Sequence, residues 1–286
     1  MTRTMMAALA ATSLLALAGC KQTTSTSENT AATTSENAGT ATAAATGIDG
    51  TWKADVTTAK WEQKPDEYLL QNGKYDCKSC TPPLSVAADG AFHAVTGHPY
   101  YDETSIKVVD DKTVQQSNKL KGRDVGGATM KVSADGKTLG VDFKDATVAN
   151  SPPATGHVEE TRVSDAPAGA HAVSGQWKPA KAENVNAEAL TITLKTDADM
   201  LHLSSPNGIS FDAKLDGTDT PIKGDPAGTT ASVKKLSDNS YQETDKRGGK
   251  VVWVGTYTVG PDGRLNVETE SKLDGSKFSY SADRQQ

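Results

Sequence analysis

Cysteine, aromatic side chains and excess positive charge are all scarce in this chain of 286 residues, and each scarcity removes a class of function. Three cysteines with a single C-x-x-C, beside five scattered histidines (His93, His98, His157, His171, His202), argue against a zinc site. Thirty basic against 36 acidic side chains give a formal charge of −6, so no positive groove for nucleic acid is expected. Aromatic residues make up 5% of the chain, which argues against a large ligand pocket, since such pockets are lined with aromatic and aliphatic groups. No G-x-x-x-x-G-K-[ST] phosphate loop occurs, and no Ser-His-Asp or Cys-His grouping can be placed in one site. No catalytic residue, metal or cofactor is therefore expected. Past residue 20, no stretch is apolar enough to enter a bilayer.

What is present begins with the first twenty residues, MTRTMMAALAATSLLALAGC, in which Arg3 precedes an apolar run from Met5 to Leu17 and the small pair Ala18-Gly19. The run is too short for a spanning helix and reads as a secretory signal. Leu17-Ala18-Gly19-Cys20 resembles the lipobox of bacterial lipoproteins. That resemblance implies a signal peptide over 1–19, cleavage before Cys20, and a diacylglycerol on the Cys20 thiol. Acyl chains contribute about 0.8 kcal/mol per buried CH₂, so two or three hold a protein to a membrane durably. Lys21, not Asp, follows the cysteine; by analogy with enterobacterial sorting this implies the outer membrane, with the protein facing the periplasm.

Residues 20–46 comprise Cys20 and the stretch KQTTSTSENTAATTSENAGTATAAAT, which contains no Val, Ile, Leu, Met, Phe, Trp or Tyr. With nothing to bury against the loss of backbone entropy, it is expected to be a disordered tether with a span of roughly 30 Å.

The remainder contains an internal repeat. A shift of 127 positions aligns Asp89–Gly136 with Asp216–Gly263 at fifteen identities, among them Gly97/Gly224, Pro99/Pro226, Gln115/Gln242, Lys119/Lys246 and Val125/Val252. Gly50-Thr51-Trp52-Lys53 answers Gly175-Gln176-Trp177-Lys178 near the start of each unit. The units span 47–165 and 175–286, joined by the small-residue linker 166–174.

Within each unit the hydrophobic period is that of strands. Leu139-Val141-Phe143, Ile209-Phe211-Ala213-Leu215 and Leu265-Val267 alternate with polar or small residues. Asp-Gly at 89–90, 135–136, 216–217 and 262–263, Asn-Gly at 72–73 and 207–208, and Gly-Gly at 248–249 supply hairpin turns. Short spacing between turns makes neighbouring strands antiparallel. The expected fold is all-β: two tandem up-and-down meanders of seven to nine strands, each hiding its edges by closing into a small lipocalin-like β-barrel. The opening Gly50-Thr51-Trp52 and Gly175-Gln176-Trp177, the hairpin QETDKRGGKVV over 242–252 and the terminal Asp283-Arg284-Gln285 resemble the lipocalin-type calyx superfamily. They are most similar to bacterial envelope lipoproteins of unassigned activity.

Trp52 and Trp177 are expected to pack in the core, with a ligand platform as the alternative. In lipocalin-like barrels such a tryptophan plugs the closed end. Cys77-Lys78-Ser79-Cys80 could be a redox pair, half a zinc site or a structural bridge. Haem attachment needs His where Thr81 stands, and the Thr81-Pro82-Pro83 that follows reads as turn, not as the helix start that would activate a thiolate. The 127-residue shift places Cys77 and Cys80 on Ser204 and Asn207, within a turn. Residues i and i+3 of a β-turn lie within disulfide reach, so a structural disulfide is expected. His98 corresponds to Asp225 in a Gly-x-Pro loop, which suits turn chemistry better than a catalytic base. The expected function is non-catalytic: binding of a small apolar or amphiphilic ligand in a barrel. The alternative is a structural lipoprotein with filled barrels and an envelope protein as partner.

Overall fold

A computed structural model describes residues 47–286. The signal segment 1–19, the lipid-attachment candidate Cys20 and the tether to residue 46 lie outside the described residues. Twenty strands and one short 3₁₀ turn, Ala187–Ala189, make up the regular structure of the described residues.

The strands form two ten-stranded antiparallel sheets, each nearly closed into a barrel. In spatial order the first runs β4 (Leu84–Ala87), β3 (Lys74–Cys77), β2 (Asp66–Gln71), β11 (Gly175–Glu183), β10 (Ala154–Ser164), β9 (Thr138–Asp145), β8 (Arg123–Val132), β7 (Thr113–Leu120), β6 (Glu103–Asp110), β5 (Phe92–Ala94). The second runs β14 (Ser210–Lys214), β13 (Met200–Ser204), β12 (Thr191–Asp197), β1 (Gly50–Glu62), β20 (Lys277–Arg284), β19 (Leu265–Ser271), β18 (Lys250–Val259), β17 (Ser240–Arg247), β16 (Thr230–Ser237), β15 (Thr220–Pro221). Edge strands β14 and β15 of the second sheet are brought together by a bridge between Ser210 and Lys223, with amide-to-carbonyl distances of 3.2 and 2.8 Å.

Ten strands per sheet exceed the seven to nine expected, because short strands such as β5 and β15 are too brief to show a period in the sequence. The repeat itself is visible strand by strand: β6, β7 and β8 become β16, β17 and β18 at a constant shift of 127. The sheets, however, do not follow the sequence units. β1, at the head of the first unit, pairs with β12 and β20 of the second barrel. Its counterpart β11, at the head of the second unit, pairs with β10 and β2 of the first. The two units have exchanged their opening strands, so each barrel is completed by the other unit.

Burial follows the alternation. Leu139, Val141 and Phe143 point inward from β9, Phe211 and Ala213 from β14, and Leu265 and Val267 from β19, all buried. The larger cluster fills the second barrel around Trp52, Leu194, Leu201 and Phe211, and a separate one fills the first around Tyr75, Ile106, Leu139 and Trp177. A third, small cluster of Phe143, Val158 and Ala182 packs against Trp61 of β1, which also touches the core of the second barrel.

The glycine two residues before each tryptophan has a steric origin. Gly50 and Gly175 take φ values of 144° and 116°, a region L-residues avoid. A Cβ on Gly175 would stand 2.5 Å from the Ser164 carbonyl oxygen and 2.8 Å from Arg162, and one on Gly50 would stand 2.5 Å from Arg284. The space is taken by an arginine from the neighbouring strand. The Arg162 guanidinium lies 3.9 Å from the Trp177 ring centre, and that of Arg284 lies 4.1 Å from Trp52. Both indoles are fully buried and donate through Nε1 to a chain carbonyl, Val173 at 2.9 Å and Ile48 at 2.8 Å. Burial of an indole contributes roughly 4 to 6 kcal/mol from area alone.

Candidate functional site

Each barrel has open space within it that is partly continuous with the outside. The first holds a cavity of about 150 Å³, lined by Tyr75, Tyr101, Gln116, Met130 and Phe143 among others. The second holds one of about 130 Å³, lined by Phe211, Glu243, Asp245, Trp253, Tyr257 and Tyr280 among others. Asp145, Thr147, Arg247, Ser271 and Leu273 line both, so the two cavities adjoin where the barrels meet. Arg247 of β17 reaches across this junction, donating to the Tyr100 hydroxyl with its guanidinium 5.2 Å from the Tyr100 ring.

Trp52 and Trp177 line neither cavity; they lie beneath their arginines, in core packing. Cys77 and Cys80 are joined by a disulfide with Cα atoms 5.4 Å apart, and Cys80 borders the first cavity. In the second barrel the corresponding turn is held by hydrogen bonds instead: the Ser205 hydroxyl donates to Asn207 Oδ1 and the Gly208 amide to the Ser205 carbonyl at 3.0 Å. His98 also lines the first cavity, stacked on Tyr101 at 4.6 Å, and burial lowers its pKa. Its counterpart Asp225 accepts from the Thr229 amide at 2.8 Å, the turn role read from the sequence.

The two interiors differ in polarity. In the first, Gln116 Nε2 donates to Thr104 Oγ1 at 3.3 Å and to Asn118 Oδ1 at 3.1 Å, while the Thr104 hydroxyl donates to Asn118 Oδ1 at 2.7 Å. In the second, the shift of 127 puts Glu243, Asp245 and Ala231 at these positions, so amides become acids and the threonine is gone. Tyr257 donates to Glu243 Oε2 at 2.6 Å. Burial pushes the Glu243 carboxyl up, with the bonds from Tyr257 and Asp245 pulling the other way. Burial, and then the Glu243 charge, drives the Tyr257 hydroxyl well above its ordinary value.

A second acidic group is deeper. Glu160 of β10 has no solvent exposure and no hydrogen-bond partner on either carboxylate oxygen. Burial first, and then the charge of Asp66, push its pKa up to about 8. Asp66, which accepts from Gln63 Nε2 at 3.1 Å, is raised by burial as well. No group of three or more His, Cys, Asp or Glu among the described residues is placed to hold a metal.

Sequence reasoning missed Glu160, Glu243, Asp245 and Arg247. A signal was there: Glu243, Asp245 and Arg247 share the strand parity of the buried Tyr241, and Glu160 that of Val158. Charged residues at inward positions are costly to bury unless paired and hydrogen-bonded. No protein-family model, curated protein or solved structure matches the chain.

Proposed function

We propose that the protein is a lipid-anchored envelope protein that carries a small apolar or amphiphilic ligand inside its barrels and performs no reaction on it. The observation that carries this reading is the pair of adjoining cavities of about 150 and 130 Å³, each with aromatic walls and a few polar groups. Such a composition is that of small-molecule sites. An apolar cavity of about 150 Å³ accommodates benzene or xenon, so each chamber suits a single ring or a short acyl segment. Open space in both barrels weighs against a purely structural lipoprotein, whose barrels would be filled.

The rest of the proposal comes from the sequence. Leu17-Ala18-Gly19-Cys20 supports a lipid on Cys20, and Lys21 supports an outer-membrane, periplasm-facing location. The duplicated G-x-W beneath an arginine supports a lipocalin-like relationship for each barrel. Native mass spectrometry of the protein taken directly from cells tests the carrier role. A bound mass that organic extraction removes is expected; a clean apo mass would favour the structural role with an envelope protein partner.

A further inference from the structure

Three groups able to donate, on residues that line the second cavity, have no hydrogen-bond partner. The Thr229 side chain is buried at 2% exposure and its hydroxyl lacks a partner. Trp253 Nε1 and Arg247 Nε are shielded from solvent and are likewise unpaired. All three residues line the same cavity. The two nitrogens can only donate, and the hydroxyl can do so too. A buried donor left unsatisfied costs about 1 to 3 kcal/mol, so an acceptor delivered here recovers energy that folding leaves unused.

The surrounding charges narrow the ligand further. Glu243 is engaged by Tyr257 and Asp245, and Asp225 and Asp245 offset the Arg247 charge. Carboxylates on that side oppose an anionic head group, while the Arg247 guanidinium opposes an ammonium. The first barrel has Asp102, Leu120 and Gly126 at the positions of Thr229, Arg247 and Trp253, and its interior amides satisfy one another. Among the described residues, Thr229 and Trp253 line the second cavity and not the first, while Arg247 borders both, so the open donor set lies in the second barrel and at its junction with the first.

We infer that the second barrel selects a neutral ligand with an apolar body of single-ring size and one accepting oxygen, as in a ketone, ester or amide, held by Trp253, Arg247 and Thr229. This rests on the carrier reading above.

Calorimetric titration of the full chain with four probes of similar size tests it: ethylbenzene, acetophenone, benzoate and 1-phenylethylamine. Acetophenone is expected to bind at least about tenfold more tightly than the other three, the worth of one buried hydrogen bond. Trp253→Phe and Thr229→Val should each cut that preference to within about threefold, read as the ratio of acetophenone to ethylbenzene affinity within the same variant. Arg247→Met provides a third reading should Trp253→Phe fail to fold by circular dichroism. Equal binding of ethylbenzene and acetophenone overturns the inference and leaves the carrier reading standing. So does preference for either charged probe, or an acetophenone preference that survives in the folded variants. Failure of all four probes overturns the inference, and joined to a clean apo mass from cells it overturns the carrier reading as well.

Discussion

Arg162 stacks on Trp177 because Gly175 leaves room, and the same trio recurs as Arg284, Trp52 and Gly50. Gly175→Ala should therefore cost more than an ordinary glycine replacement. It combines a positive φ of 116° with a Cβ driven 2.5 Å from the Ser164 carbonyl oxygen. A loss of about 2 kcal/mol or more in denaturant unfolding is expected, whereas a neutral outcome would mean the strand shifts freely. Glu160 sets a pH dependence. Its carboxyl titrates near 8 when folded against 4.5 in the ordinary state, so between those values the folded chain holds a proton that the unfolded chain releases. Stability from this group is complete below about pH 4.5 and is lost progressively as pH rises to about 8, a span on the order of 5 kcal/mol. Glu160→Gln should accordingly raise Tm at pH 8 by several degrees relative to wild type, and the gap should shrink toward pH 5. A gap independent of pH would show that the buried carboxyl does not titrate in this window.

At the scale of elements, the exchange of β1 and β11 decides what can fold alone. Residues 66–183 contain all ten strands of the first barrel, whereas 47–165 lack β11 and carry β1 without its partners. The first fragment should melt cooperatively by circular dichroism. The second should be protease-sensitive and melt broadly; equal behaviour would contradict the exchange. Most of the strands were legible in the sequence, since Leu139-Val141-Phe143 and Leu265-Val267 alternate cleanly and Asp-Gly or Asn-Gly closes many hairpins. The exchange was not. β1 and β11 begin with the same G-x-W and present the same inward tryptophan, so either could complete either barrel, and periodicity carries no information about which. The Cys77–Cys80 bridge was legible through the repeat, which placed both residues in one turn. The interior charges were not legible, because Glu243, Asp245 and Arg247 are charged, and a charged residue on an alternating strand is ordinarily assigned to solvent.

At the scale of the whole molecule, duplication has given two barrels of one plan with unlike interiors. Their cavities adjoin at Asp145, Thr147, Arg247, Ser271 and Leu273. One interior is closed on itself by the Thr104, Gln116 and Asn118 network; the other holds acids, a guanidinium and unpaired donors. The scarcity of aromatic residues argued against a large pocket, and the cavities are accordingly small. The few aromatics available are concentrated on their walls: Tyr75, Tyr101 and Phe143 in one barrel, Phe211, Trp253 and Tyr257 in the other. Hollow barrels able to take up small apolar matter are the premise of the carrier role. Crystals of the protein pressurised with xenon test that premise most directly, because xenon enters dry apolar cavities. Xenon density is expected inside both barrels, between the walls of Tyr75, Met130 and Phe143 in the first and of Phe211 and Tyr257 in the second. Xenon confined to the outer surface, with side chains collapsed into both interiors, would contradict it.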